Sequence, residues 1–344
     1  MQNSEFRRDP VSRDWVVIAP KRTHSLEQFS RKEKRTRAPK ATCPFENPQK
    51  NGNDEPMLAY TDEKGEWIIQ VIPNKYPIVE HQAVCAVKFE KGPYQMMEGI
   101  GYHDLVITRD HNANFANLTP FMASLVFATF KERYVTMMQD TCMKYVSVFH
   151  NWGPSAGASM YHPHYQILSL PIIPPDVHRS LRGSYTYFEK TGSCVHCAML
   201  NFERKAKKRI VYENKEAIVF APFVSREPFE LRVFPKKHLP YFEETNERVM
   251  DFVVDALQRA LRILEKQLND PDYNFFIHTA PLQDKEKYNH YHWHIEVQPK
   301  VRIIGGFELG TGIEVNVVDP DSAVAMLRGN KTKAEATQKE NKKK

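Results

Sequence analysis

No stretch of the 344-residue chain approaches the ~18 consecutive apolar residues that a membrane span requires. Mean hydropathy is −0.56, and the first residues, Met1-Gln2-Asn3-Ser4-Glu5-Phe6-Arg7-Arg8, lack the apolar segment of a secretory signal. Cysteine is scarce. Of five, Cys43, Cys85 and Cys142 stand apart, while Cys194 and Cys197 form a C-x-x-C. So few cysteines in so long a chain exclude a secreted disulfide framework and lead to the expectation of a reducing cytoplasm, with the C-x-x-C given to metal. A broad basic face is also missing. The net charge is +6, yet residues 328–344 carry +5 and residues 21–40 carry +6, which leaves about −5 for the rest. Basicity confined to two flexible-looking stretches argues against nucleic acid as a partner. Residues 326–344 read as a disordered basic tail.

The remainder can build a core. Apolar residues make up 41% and charged residues 26%, and the length suits about two domains at ~150 residues each. The fourteen histidines are patterned rather than scattered. Leu105-Val106-Ile107-Thr108-Arg109-Asp110-His111 is echoed by Arg232-Val233-Phe234-Pro235-Lys236-Lys237-His238, 127 residues later. Tyr161-His162-Pro163-His164-Tyr165-Gln166 is echoed by Tyr291-His292-Trp293-His294-Ile295-Glu296 at 130, and Phe149-His150 by Ile277-His278 at 128. Cysteine precedes each set. Thr119-Pro120 marks a helix start, followed by apolar spacing at Phe121, Leu125, Phe130, Tyr134 and Met137 to about Asp140. A second helical face runs from about Glu247 to Leu268 through Val249, Phe252, Val253, Leu257, Leu261 and Leu264. Each leads into an apolar strand. These repeats predict an α+β fold of two duplicated halves, residues 1–190 and 191–325, each an antiparallel sheet with a helix packed on one face.

Duplicated halves should carry duplicated sites. Cys194, Cys197, His238 and His292 supply the four N/S ligands that tetrahedral zinc prefers, with a turn at Val195-His196 aiming both sulfurs at one ion and the histidines drawn from separate strands. His196 is the rival ligand. The first half offers Cys43, His111 and His162, with Glu46 where a second cysteine would fall. Either Glu46 completes a weaker zinc site or it pairs with a histidine instead.

The densest chemistry is Asn151-Trp152-Gly153-Pro154-Ser155-Ala156-Gly157-Ala158-Ser159, followed by His162-Pro163-His164-Tyr165-Gln166. Small residues let backbone N–H groups approach phosphate oxygens. On a strand, His162, His164 and Gln166 share one face. The H-P-H-x-Q run with its preceding N-x-G-x-S-x-G-A-S resembles the galactose-1-phosphate uridylyltransferases of the histidine-triad superfamily, close to the branch that includes the ADP-glucose phosphorylases. The resemblance extends from Arg7-Arg8-Asp9-Pro10 and Trp15-Val16-Val17-Ile18-Ala19-Pro20 to Gly305-Gly306-Phe307-Glu308-Leu309-Gly310-Thr311-Gly312.

That resemblance implies a nucleotidyltransferase in which His164 is the nucleophile, Gln166 contacts the transferred phosphoryl group, Asn151 and Ser159 line the phosphate site, and His162 is a metal ligand. It further implies that Asn74 contacts the nucleoside, that Gly306, Phe307 and Glu308 contact the sugar phosphate, and that a homodimer forms in which this last segment reaches the partner's site. Glu46 departs from the family's cysteine, and Phe307 from a tyrosine frequent among the uridylyltransferases. A neutral imidazole with an ordinary pKa of ~6.5 is a competent nucleophile. Attack on a nucleotide sugar would give a nucleotidyl-histidine and a sugar 1-phosphate, a good leaving group, so an amide at Gln166 suffices. The two displacements predict ping-pong kinetics. Glu296, in place of that amide, makes the second copy structural. The leading expectation is UDP-glucose:hexose-1-phosphate uridylyltransferase, in galactose metabolism. The alternative is ADP-glucose phosphorylase, with phosphate as acceptor. A non-catalytic, zinc-stabilised nucleotide-binding protein is the reading from another class.

Overall fold

A computed structural model describes residues 3–329 except 24 and 34. The expected tail at 326–344 begins too early: Met326 and Leu327 end a helix, with Leu327 buried, and Arg328 donates to the Ile210 carbonyl at 2.9 Å, while residues 330–344 lie outside the described residues. In chain order the strands are β1 (Glu5–Arg8), β2 (Trp15–Ile18), β3 (Leu58–Thr61), β4 (Trp67–Pro73), β5 (Lys88–Lys91), β6 (Tyr94–Met97), β7 (Tyr102–Thr108), β8 (Tyr145–Trp152), β9 (His164–Leu170), β10 (Ile210–Glu213), β11 (Ala217–Phe220), β12 (Leu231–Pro235), β13 (Tyr273–His278), β14 (His294–Pro299) and β15 (Glu314–Asn316). The helices are α1 (Pro120–Met138), α2 (Pro175–Thr191), α3 (Val195–Ala206), α4 (Glu247–Leu268), α5 (Gly306–Thr311) and α6 (Pro320–Leu327).

The fold is mixed α+β, but its central sheet is continuous. Ten strands run in the order β10-β11-β12-β14-β13-β8-β9-β7-β4-β3. The seam is the antiparallel pair β13–β8, which sets Asn274 opposite Asn151 and Phe275 opposite His150. The expected two sheets are therefore one, because the edge strands of both halves satisfy each other's backbone groups. β1, β2 and β15 form a separate three-stranded sheet, with β15 parallel to β2.

Strand parity gives the sheet two unlike faces. Tyr165, Ile167, Val146, Val148, Phe275 and Ile277 enter the main core beneath α1 and α4. Thr119 caps α1 by accepting from the Met122 amide, and Asn246 caps α4 by accepting from that of Val249. α4 buries the expected Val249, Val253, Leu257, Leu261 and Leu264. On α1 the expected Phe130, Tyr134 and Met137 are buried, joined by Ala123, Val126 and Phe127, whereas Leu125 is half-buried and Phe121 is exposed. The pairing of His150 with His278 fails on parity. His150 points into the core and stacks near Tyr165, while His278 lies on the opposite face beside Glu296.

Two further expectations change. Cys85 and Cys142 form a disulfide, so two of the three dispersed cysteines are paired. The basic stretch 21–40 is not all loose, since Arg31 and Arg35 bind Asp270 and Asp272.

Candidate functional site

β9 delivers His164 and Gln166 to the face of the sheet opposite α1, and β8 delivers Phe149 directly opposite Gln166. His162 precedes the strand rather than lying on it, and its ring serves a separate cluster. His164 is buried, with Nδ1 2.9 Å from the His162 carbonyl oxygen. A carbonyl only accepts, so Nδ1 carries the proton and Nε2 keeps its lone pair. Burial lowers the His164 pKa from the ordinary histidine range, opposed by that hydrogen bond. The imidazole is therefore neutral at pH 7. Phe45 packs edge-on at 5.3 Å and fixes the ring plane.

Gln166 is oriented by a residue that the sequence reading passed over. The Ile78 amide donates to His103 Nδ1 at 3.1 Å, which leaves the proton on Nε2, and this donates to Gln166 Oε1 at 2.9 Å. With its oxygen engaged, Gln166 turns its NH2 outward as a donor. Burial keeps the His103 pKa low. Asn74 lies against the same ring, its Nδ2 3.0 Å from His103 Nε2, and accepts from the Tyr76 amide. His103 was discoverable from parity, since His103, Leu105 and Ile107 alternate along β7.

The loop between β8 and β9 is anchored from the other half of the sheet. Gly153 has φ +87°, and a Cβ there would lie 2.1 Å from Asp272 Oδ1 and 2.5 Å from Arg35 Nη1. Asp272 accepts from the Ser155 amide at 2.8 Å, and Asp270 from Trp152 Nε1 at 2.9 Å. Ser159 sits exposed on the same loop. Gly306, Phe307 and Glu308 are elsewhere, on α5, where Arg302 holds Glu308 at 3.3 Å. Among the described residues they make no hydrogen bond to His164 or Gln166.

Three groups among the described residues could hold metal: His278, His294 and Glu296, and two that contain cysteine. Cys43, His111 and His162 converge in a buried group. Their two Nδ1 atoms lie 3.2 Å apart, and Nε2 of His111 and of His162 donates to the carbonyls of Ala38 and Thr108. With each Nε2 so engaged, neutral rings present their Nδ1 lone pairs to one another, an arrangement that a cation among them would satisfy. Glu46 Oε1 stands 3.2 Å from His111 Nδ1, buried and without a hydrogen bond. That donor set fits a divalent cation, with backbone carbonyls fixing the ligand tautomers.

The second group is Cys194, Cys197, His238 and His292. Cys197 Sγ is 3.3 Å from His238 Nδ1 and 3.6 Å from His292 Nδ1. The C-x-x-C is not a turn: Cys194 stands at the N-cap position of α3, without a side-chain capping hydrogen bond, and Cys197 lies in the first turn, so helical spacing brings both sulfurs to the same helix end. The two histidines flank β12 and β14 instead of lying on them. His196 is no rival, being buried against Phe234, Tyr291 and His294. Next to this group, His294 Nδ1 donates to the His292 carbonyl at 3.1 Å. Burial pushes Glu296 up, but Arg232 at 3.1 Å and His278 outweigh it and hold it ionised.

Residues 61–338 match a family described as a domain of unknown function, DUF4921. An ADP-glucose phosphorylase of Arabidopsis thaliana is 33% identical over 95% of this chain and 93% of its own length. A galactose-1-phosphate uridylyltransferase of Thermotoga maritima is 24% identical over 94% and 98%. The crystal structure of an Arabidopsis thaliana ADP-glucose phosphorylase with bound ADP-glucose superposes with a TM-score of 0.81 at 30% identity, covering 96% of this chain and all of that one. No helix among the described residues is long and apolar enough to cross a membrane. The chain belongs to the DUF4921 family, among the proteins related to galactose-1-phosphate uridylyltransferase.

Proposed function

We propose that this chain transfers a nucleotidyl group from a nucleotide sugar to an acceptor phosphate through a covalent intermediate on His164. The observation that carries this reading is the fixed tautomer of His164: Nδ1 is committed to the His162 carbonyl and Nε2 is left free beside an outward-facing amide donor. Nε2 attacks the α-phosphorus, the bond to the β-phosphate oxygen breaks, and sugar 1-phosphate departs. Gln166 NH2 stabilises charge on a non-bridging oxygen without supplying a proton. The acceptor phosphate then attacks the nucleotidyl-histidine, and the imidazole returns to its starting state.

The greater similarity to ADP-glucose phosphorylase, at 33% identity against 24% for the uridylyltransferase, supports ADP-glucose as donor and inorganic phosphate as acceptor, yielding ADP and glucose 1-phosphate. UDP-glucose with a hexose 1-phosphate is the second reading, kept by the shared H-P-H-x-Q. Labelled ADP-glucose and UDP-glucose, each supplied without acceptor, distinguish them by which one leaves nucleotide on the protein.

Zinc suits both Cys/His clusters. Bound there it would be structural, fixing the segment before β9 and the start of α3. The account also includes a homodimer in the cytoplasm, and the exposed apolar side chains of Ile303, Phe307 and Leu309 around α5 support a partner for that segment. A nucleotide-binding protein without catalysis is disfavoured by the oriented nucleophile. His164→Gly decides: the proposal expects turnover to vanish with nucleotide binding largely retained, and unchanged turnover would refute it.

A further inference from the structure

The second half contributes more than a scaffold, and the contribution passes through Asn274. This residue lies on β13 directly across from Asn151 on β8. Its Nδ2 donates to Asn151 Oδ1 at 2.8 Å and to the Ala156 carbonyl at 2.8 Å. The orientation of both amides follows from that carbonyl. Ala156 O can only accept, so Asn274 must present its NH2, and Asn151 must answer with its oxygen. The NH2 of Asn151 is then turned away from Asn274. It faces the small-residue loop, 3.7 Å from where a Cβ on Gly157 would stand, and no hydrogen bond among the described residues engages it. Phe149, Asn151, Asn274, Phe276, Gln298 and Lys300 line a common cleft of about 390 Å³ on this face of the sheet.

An unconstrained asparagine can offer an anion either its oxygen or its nitrogen, and only the nitrogen attracts. We propose that Asn274 is a positioning residue: by occupying Asn151 Oδ1 from the C-terminal half, it holds the Asn151 NH2 toward the phosphate oxygens of the bound nucleotide sugar. The inference rests on the nucleotidyl-histidine reading above. It assigns the seam between the halves a role in the reaction. Asn274 itself need not touch substrate. Asp272, just before the same strand, holds the loop backbone by accepting from the Ser155 amide, with Arg35 neutralising that carboxylate at 2.9 Å.

The test measures the rate of nucleotidyl-adduct formation on the full chain, with ADP-glucose and UDP-glucose as probes. Asn274→Asp replaces two donors with acceptors of the same shape, so Asn151 flips and meets the phosphate with oxygen. A loss of about 100-fold is expected, the scale of one misplaced donor at a charged centre. Asn274→Ser, which can still donate once, restores the rate to within roughly tenfold. The cycle with Asn151→Ala separates orientation from mere support. With Asn151 absent, Asn274→Asp and Asn274→Ala should each change the rate by less than about threefold, whereas a purely structural role costs the same in either background. Should Asn274→Asp fold poorly, Asn274→Ala in both backgrounds gives the same reading. An adduct formed at the parent rate by Asn274→Asp, or equal losses in both backgrounds, overturns the inference alone. Absence of any adduct in the parent chain overturns the nucleotidyl-histidine reading and this inference with it.

Discussion

Replacing Gly153 by alanine tests how the loop between β8 and β9 is held. The residue has φ +87° and ψ 160°, a region that only glycine occupies freely and that costs another residue about 1–3 kcal/mol. The new methyl would also lie 2.1 Å from Asp272 Oδ1 and 2.5 Å from Arg35 Nη1, so the Arg35–Asp272 pair must separate. Both side chains are largely buried, at 9% and 6% exposure, but Arg31 still faces Asp272 and Asp270 still holds Arg35, so neither charge is left alone and separating the pair costs about 1–3 kcal/mol, the scale of a lost charge-assisted hydrogen bond. Asp272 also shifts from the Ser155 amide. The sum is a destabilisation of about 2–6 kcal/mol. Gly157→Ala is the matched control. Gly157 has φ +85° but its nearest neighbour to a Cβ is 3.7 Å away, so only the backbone cost of about 1–2 kcal/mol applies. Urea unfolding of the two variants should differ by at least about 1 kcal/mol, with Gly153→Ala the worse. Equal stabilities would show that Asp272 and Arg35 do not hold the loop as described.

Other outcomes follow from the same geometry. Burial pushes the His150 pKa down to about 3. Because the unfolded chain takes up that proton first, this contribution to stability is complete above ~6.5 and fades as pH falls, by about 3 kcal/mol at pH 4.5. His150→Gln should flatten the stability–pH slope below pH 6 by roughly one proton, and an unaltered slope would contradict the buried neutral ring. Elemental analysis should find about two metal ions per chain, falling by roughly one in Glu46→Ala and in Cys194→Ser; full metal content in Glu46→Ala would leave that carboxylate outside the site. Gln166→His places an acid–base group at the phosphoryl centre that can take the proton from an attacking water, which phosphate does not require, so hydrolysis of the intermediate should rise relative to transfer to phosphate, measured as nucleoside monophosphate released against nucleoside diphosphate formed. Unchanged partitioning would remove the amide from that role. Thiol titration of the unfolded, unreduced chain should count Cys43, Cys194 and Cys197 only, and five free thiols would refute the Cys85–Cys142 pair.

What could be read from the sequence was set by local spacing. Period-two alternation put His164 and Gln166 on one face, and the cap at Thr119 follows from its place just before a proline and an apolar helical face. The Cys/His groups were legible because the C-x-x-C is itself a short motif and His111, His162, His238 and His292 each stand just outside a strand. His162 was misplaced by two residues, since proline at 163 delays the ladder. Long-range pairing left no such trace. Nothing near Asn151 announces Asn274, and nothing near Cys85 announces Cys142. The charges of Arg31 and Arg35 read as a solvated run because their partners, Asp270 and Asp272, are some 240 residues away. α2 and α3 were unread, their signals masked by the functional motifs around them.

The central claim is a phosphorus–nitrogen bond at Nε2 of His164. Intact-mass measurement of the chain, quenched after mixing with ADP-glucose or UDP-glucose in the absence of acceptor, tests it most directly. The account predicts a gain of one nucleoside monophosphate residue, mapped to His164, lost on adding phosphate or a hexose 1-phosphate, and absent in His164→Gly. A chain that turns over its substrate with no adduct, or with the adduct on another side chain, would contradict it.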